Sequence, residues 1–294
     1  GLIRLKVVAV KKDQVECKVT SGGLLKENKG INLPGVSVSA PSLTEKDKRD
    51  VNFGIKNKVD YFALSFVRRP EDLKDIKAIL KRQGSAIPVI AKIEKPEAID
   101  NLEGILEQTD AVMVARGDLG VEIPIEKIAY AQKLLMNKAN LAGKPVITAT
   151  QMLASMEHNP KPTRAEASDV ANAILDGTSA VMLSGESAAG MYPVQSVSTM
   201  STLAQRAEAA LSEYGYLQKI LPAASNVITE AVSQAAVSMA QNLKAVAIFS
   251  LTETGFTSRL VSKHRPECPI LAVTSSPLAA RRLAMNWGII PFLC

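Results

Sequence analysis

Four pairs of polar residues stand two apart, each at the end of a short apolar run: Lys92 and Glu94, Arg116 and Asp118, Thr148 and Thr150, Ser184 and Glu186. Residues two apart in a strand share a face. If the strands are parallel, their carboxyl ends gather at one mouth, where sheets of this kind bind ligands. Acids, bases and hydroxyls then converge on one pocket. Glu94 and Asp118 come from successive strands, so their carboxylates can approach one ion. Two carboxylates completed by substrate oxygens and water make a Mg²⁺ pattern. Lys92 beside them supplies positive charge for a phosphate or a developing enolate. Arg116-Gly117-Asp118-Leu119-Gly120 places glycines where strand gives way to loop, so that backbone can come close to a ligand. Simpler roles stand beside these. Arg116 pairs with a neighbouring acid or touches the ligand. Glu186 starts a helix or supports the site from behind. Ser184 and Thr148 satisfy backbone groups, and Arg164, Glu166 and Asp169 serve a helix start or an interface.

The elements that hold these residues alternate between strand and helix. Apolar runs predict strands at Tyr61 to Phe66, Pro88 to Glu94, Ala111 to Asp118, Pro145 to Thr150 and Ala180 to Glu186. Pro70 opens a helix with Leu73, Ile76 and Leu80 on one face and Gly84 at its close. Glu126 to Leu141 forms another. Thr163 and Glu166 have capping-box spacing ahead of a third, whose apolar side carries Val170, Ala173 and Ile174. Strand, helix, strand in repetition means parallel pairing. Before this region, Ile3, Leu5, Val7 and Ala9, then Val15, Cys17 and Val19, alternate as two strands, turning at Lys11-Lys12-Asp13 and again at Gly22-Gly23. So short a β segment cannot enclose a core. After it come a helix at Ser225 to Gln241, strand Ala245 to Phe249, helix Thr257 to His264, strand Pro269 to Val273, helix Pro277 to Asn286 and a strand from Ile289. The stretch from Tyr214 to Ala224 lacks periodicity and marks a boundary.

The 294 residues suffice for two or three domains, and 47% hydrophobic with 22% charged is ordinary globular composition. The longest apolar runs, such as Ala245 to Phe249, are far below a bilayer span. Nothing near Gly1 reads as a signal peptide, although a chain opening on Gly1 leaves an upstream segment open. Three scattered cysteines, Cys17, Cys268 and Cys294, argue against a disulfide framework and a zinc site, which fits a reducing cytoplasmic compartment. Two histidines, His158 and His264, are too few for a histidine metal site. The formal charge of +6 suits an anionic ligand. Aromatics at 4% with no interleaved basic run argue against nucleic acid. Lysines near Lys26, Lys46 and Lys56 alternate with acids, as on a solvated surface.

An eight-stranded barrel needs eight β/α units, and five are visible. Either the sheet is open, or three strands lie upstream of Gly1 with a small β domain inserted between barrel strands.

Five stretches carry a family resemblance: Ala91-Lys92-Ile93-Glu94; Met113-Val114-Ala115-Arg116-Gly117-Asp118-Leu119-Gly120-Val121-Glu122; Thr148-Ala149-Thr150-Gln151-Met152-Leu153; Pro162-Thr163-Arg164-Ala165-Glu166; and Met182-Leu183-Ser184-Gly185-Glu186. In this order and spacing the chain resembles pyruvate kinase from end to end. The resemblance implies a partial TIM (β/α)8 barrel at residues 36–216, the second half of a small β lid domain at 1–35 and an incomplete C-terminal α/β regulatory domain at 224–294. It implies phosphoryl transfer from phosphoenolpyruvate to ADP, giving pyruvate and ATP, the last step of glycolysis. Mg²⁺ or Mn²⁺ is implied as cofactor, with K⁺ held by residues outside this chain. Lys92 is then the catalytic cation, Glu94 and Asp118 the metal ligands, and Gly117, Asp118 and Thr150 the substrate contacts. A homotetramer with no nucleic-acid or membrane partner is implied. The loop with Thr252, Thr254, Gly255 and Thr257 corresponds to one that holds a sugar phosphate in some members; ordinary helix capping explains it equally, and Glu253 repels phosphate. The runner-up is a Mg²⁺-dependent lyase or aldolase working through pyruvate enolate. Residues 1–294 alone are expected to be inactive.

Overall fold

The computed structural model describes residues 3–25, 27, 30–36, 42–215 and 228–294. Lys26, residues 37–41 just past the boundary expected at 35–36, residues 216–224 and the start of the helix expected from Ser225 lie outside the described residues.

Apolar–polar alternation makes β1 (Arg4–Val10) and β2 (Val15–Ser21), which pair antiparallel. Nearly every residue of this hairpin is exposed. The central region runs α1 (Glu45–Lys56), β3 (Phe62–Leu64), α2 (Pro70–Arg82), β4 (Val89–Ile93), α3 (Pro96–Asp100), α4 (Leu102–Gln108), β5 (Ala111–Ala115), α5 (Arg116–Glu122), α6 (Ile125–Leu141), β6 (Val146–Ala149), α7 (Arg164–Leu175) and β7 (Ala180–Val181). Short α8 (Gly185–Ala188), long α9 (Pro193–Glu208) and short α10 (Leu211–Tyr214) follow. Last come α11 (Ile228–Asn242), β8 (Ile248–Leu251), α12 (Phe256–Lys263), β9 (Ile270–Thr274), α13 (Pro277–Leu283) and β10 (Ile289–Leu293).

The protein is thus α/β with parallel sheets. β3 to β7 form one parallel sheet in sequential order, and β8 to β10 a second. One face of the larger sheet buries Ala91, Ile93, Val112, Val114 and Val146 against Leu73 and Ile76 of α2, Ile105 of α4, Leu135 of α6 and Val170 of α7. Its other face holds a smaller layer, Ile90, Ala111, Met113, Ile147 and Ala149, with Tyr61 and Met182 beside it. The C-terminal sheet has its own core of Val237, Val261, Ile270, Ala272, Leu283 and Ile289.

All five expected strands of the larger sheet run too far at their carboxyl ends, β3 stopping at Leu64 and β4 at Ile93. β5 stops at Ala115, because Arg116 begins a helix. β6 stops at Ala149, where Thr150 turns left-handed. β7 is only two residues long. The expected α7 cap is present: Glu166 N–H donates to Thr163 Oγ1 at 3.2 Å, and Thr163 N–H to Glu166 Oε2 at 2.7 Å. The two α/β units touch through several polar contacts. Tyr61 Oη donates to the Arg282 carbonyl at 2.9 Å, and Arg281 pairs with Asp60 at 3.0 Å. Arg265 follows α12 at φ 50° and donates to the Gly177 carbonyl at 2.9 Å and the Thr178 carbonyl at 3.2 Å. A glycine is favoured at such a helix end, so this arginine is held there by its contacts.

Leu135 is wholly buried in the main core. Leu135→Ala should lower the free energy of unfolding by about 3 kcal/mol in a urea titration. Burial works to raise the Glu166 carboxyl, but hydrogen bonds from Ser155 and Thr163 outweigh it and hold the group below its ordinary value. Its stabilisation is present above the usual carboxylate range and is lost as pH falls through the lowered folded value. Glu166→Gln should therefore destabilise at neutral pH, and the difference in denaturation midpoint should vanish in strong acid.

Candidate active site

Lys92 lies next to last on β4, on the sheet face of Ile90, with Glu94 just past the strand end. The expected shared face is observed here. Lys92 Nζ lies 2.6 Å from Glu94 Oε1 and donates to Ser65 Oγ at 2.8 Å. Glu94 is only 1% exposed, and its Oε2 accepts the Phe66 N–H at 2.8 Å. Phe66 has φ 55°, an unfavourable backbone for a bulky residue, and the carboxylate secures that turn.

The next pair behaves differently. Ile93 pairs with Val114, so Glu94 and Ala115 leave neighbouring strands at the same level. Arg116 and Asp118 then lie in the first turn of α5, not on the strand. Two residues apart on a helix are about 200° apart around its axis, so the two side chains diverge. Arg116 turns into the protein. Its Nη1 grips both Asp169 oxygens at 2.7 and 2.6 Å, and its Nη2 donates to the Thr150 carbonyl at 2.8 Å. Of the two roles open for Arg116, the ion pair is the one observed. Asp118 is partly exposed and has no hydrogen bond or ion pair among the described residues.

The third pair is split by backbone geometry. Thr148 is buried and donates to Thr178 Oγ1 at 2.9 Å, away from the site. Thr150 and Gln151 have φ 70° and 54°, which breaks the strand alternation. Thr150 Oγ1 accepts the Gly117 N–H at 2.7 Å. A Cβ on Gly117 would sit 3.2 Å from that oxygen, tighter than an ordinary contact, so glycine suits this approach. In the fourth pair Ser184 stands just before α8 without a side-chain cap bond, and Glu186 is buried, accepting from the Leu153 and Ser184 amides at 3.1 and 2.7 Å. Glu186 braces the segment after Thr150.

The structure therefore brings together Lys92 with Glu94, and Gly117 with Thr150, at adjacent strand ends, with Asp118 next to Gly117 in the chain. Ser65 and the Phe66 amide are additions that sequence reasoning missed; they follow the same rule of polar groups just past an apolar strand. The near-buried pair Lys95–Glu122 at 2.5 Å was also missed, since charge pairing across two helices leaves no local pattern. In the C-terminal unit, Gly255 at φ 85° starts α12 and donates its N–H to Thr252 Oγ1 at 2.9 Å. Thr252 is thereby engaged in an ordinary turn, while the Thr254 carbonyl accepts from Arg259 at 3.4 Å.

Among the described residues no group of three or more His, Cys, Asp and Glu side chains is arranged to hold a metal. Two carboxylates fit Mg²⁺ without a third, because that ion keeps waters and substrate oxygens in its shell. Asp118, partnerless beside Gly117, has the donor chemistry this requires. No helix among the described residues is long and apolar enough to cross a membrane, and Cys17, Cys268 and Cys294 are free.

These features define a parallel α/β protein with Lys92, Glu94 and Asp118 at or just past the carboxyl ends of two neighbouring strands of the larger sheet. A family model for the pyruvate kinase barrel domain matches residues 1–197, and one for the pyruvate kinase alpha/beta domain matches residues 230–294. The chain belongs to the pyruvate kinase family. It is 51% identical over 296 residues to a pyruvate kinase of Sporosarcina psychrophila, covering 100% of this chain and 50% of that protein. It is 52% identical over 292 residues to one of Bacillus licheniformis, covering 98% and 50%. A pyruvate kinase of Clostridium acetobutylicum is 48% identical over 294 residues, covering 100% and 62%. The chain thus spans about half the length of the first two relatives.

Arg116→Lys should release the Thr150 turn, since an ammonium cannot bridge the Asp169 carboxylate and the Thr150 carbonyl in the same planar geometry. Amide hydrogen exchange at Met152 and Leu153 should rise about tenfold or more, while the amides of β4 stay protected.

Proposed function

We propose that the protein carrying this chain transfers the phosphoryl group of phosphoenolpyruvate to ADP, giving pyruvate and ATP in the last step of glycolysis. One observation carries the reading. An ammonium group at the end of β4 is locked at 2.6 Å to a buried carboxylate, one strand away from Gly117, whose N–H in turn meets Thr150 at the end of the strand beyond. That arrangement suits phosphoryl transfer, where positioning and neutralisation of charge provide most of the acceleration.

In this reading the Lys92 ammonium faces the transferring phosphoryl group and the enolate oxygen that develops as the phosphorus–oxygen bond breaks. Glu94 and Ser65 fix the direction of Lys92, so that little reorganisation accompanies the reaction. Glu94 and Asp118 would hold Mg²⁺ or Mn²⁺, which supplies charge neutralisation when bound. Gly117, without a Cβ, lets the substrate approach the backbone of α5. Thr150 would orient the face of the enolate that takes up a proton. ADP and K⁺ would be held by residues beyond these.

The five parallel strands would be consecutive strands of a (β/α)8 barrel. Their sequential order and the gathering of polar groups at their carboxyl ends support this. Residues 1–35 would then be part of a small lid domain, 36–216 the barrel portion and 224–294 part of a regulatory domain. A cytoplasmic homotetramer is the assembly this family suggests. The loop with Thr252, Thr254, Gly255 and Thr257 is an alternative seat for an effector phosphate. The family match lends no support to a lyase or aldolase.

In the complete enzyme, Lys92→Met should reduce turnover by roughly a hundredfold or more, with the KM for phosphoenolpyruvate changed by no more than about threefold. Stopped-assay measurement of ADP-dependent pyruvate release checks this. A variant near full speed would remove Lys92 from its role, and pyruvate release without ADP would point to lyase chemistry.

A further inference from the structure

Away from the site described above, the two α/β units meet around a small polar cavity of about 20 Å³. It lies between the turn leading into β6 and the end of α12. Four cations line it, Lys144, Arg259, Lys263 and Arg265, together with Ser179 and Asn286, and no carboxylate does. Only Lys263 has an ion-pair partner among the described residues, Glu230. Arg265 is 5% exposed, and its Nη2 donates to Asn140 Oδ1 at 3.0 Å and to the Gly177 carbonyl at 2.9 Å. These acceptors are all neutral. Its Nε–H is buried without any acceptor, although the ring of Trp287 lies 5.1 Å away.

A buried charge without an opposite charge is costly. Burial pushes Arg265 down to about 9, opposed by the field of Glu208. Burial also lowers Lys144, against the pull of Asp110 and assisted by repulsion from Lys77 and Arg259. Burial lowers Arg259 as well, against Tyr61 and Asp110 and with Arg282 adding repulsion. Asp110 and Glu208 act on these groups only at a distance and make no ion pair with them. A water needs about 10–15 Å³, so the enclosed part of the cavity matches one atom of that size. A water would satisfy a donor and leave the charge unbalanced.

We propose that this cavity binds a single halide ion of chloride size, held by Lys144 and Arg259 beside the buried charge of Arg265. The ion would join the two units by neutralising cations that both contribute.

The test has a crystallographic arm and a solution arm, both on the full chain. Crystals grown without halide and soaked in bromide should show an anomalous peak within hydrogen-bond distance of Lys144 and Arg259. In solution, replacing gluconate by chloride at constant ionic strength should raise Tm by about 3 °C at saturation. Lys144→Gln should lose that chloride-specific rise. It should melt no lower than the parent in gluconate, because a repulsive contact has been removed. A water in place of the bromide peak would overturn the proposal. So would a peak without any chloride-specific rise below about 0.2 M, meaning an adventitious ion only, or an undiminished rise in Lys144→Gln. Stabilisation by inorganic phosphate and not by chloride would overturn the single-atom assignment.

Discussion

The Glu94 carboxylate is almost completely removed from water, and a charge in that position persists only if strong partners surround it. Two partners do so, the Lys92 ammonium on one oxygen and the Phe66 amide on the other. Each constraint fixes something else. The first orients the Lys92 ammonium at the end of β4. The second closes the turn after β3 in a conformation that a phenylalanine would not choose. Parallel pairing of β3, β4 and β5 brings these pieces to one level, so the sheet and the ion pair depend on each other.

The neighbouring strand ends are organised by strain rather than by alternation. Two consecutive residues in the left-handed region, Thr150 and Gln151, cost about 1–3 kcal/mol each. Arg116 offsets that by binding the carbonyls of both, at 2.8 and 3.3 Å, while anchored to Asp169. The result is that Thr150 Oγ1 meets the Gly117 amide, a contact no regular strand could make. A buried guanidinium thus serves as the frame on which a half-buried threonine is presented.

Much of this was legible in the residues. Apolar runs and helix periodicity located each strand and the main helices of the larger sheet, because burial on one or both faces dictates those patterns. Thr163 and Glu166 announced their cap through spacing alone. The Lys92–Glu94 pair followed from the two-residue period of a strand. The same period misled at Arg116–Asp118 and Thr148–Thr150, where the backbone leaves the strand a residue or two earlier than the apolar run suggests. Nothing in the local pattern marks Arg116 as the start of a helix. Helices such as α1, α4 and α9 were not singled out. α1 in particular carries mostly exposed residues held by surface pairs such as Lys46–Asp50 at 2.5 Å, and so lacks a strong apolar stripe. The contacts of Arg265 join residues nearly ninety positions apart, and no sequence window contains them.

The β1–β2 hairpin has a kinetic corollary. Its strand pairing is local in the chain, from Val10 opposite Val15 out to Arg4 opposite Ser21. Such a ribbon closes on a timescale of about 1–10 µs, whereas the larger sheet must wait for each helical crossover to bring distant strands together. Two register shifts and valines exposed on both sides leave the ribbon without a buried face to lock its alignment. It consequently forms sooner than either parallel sheet and is the strand pair readiest to slide.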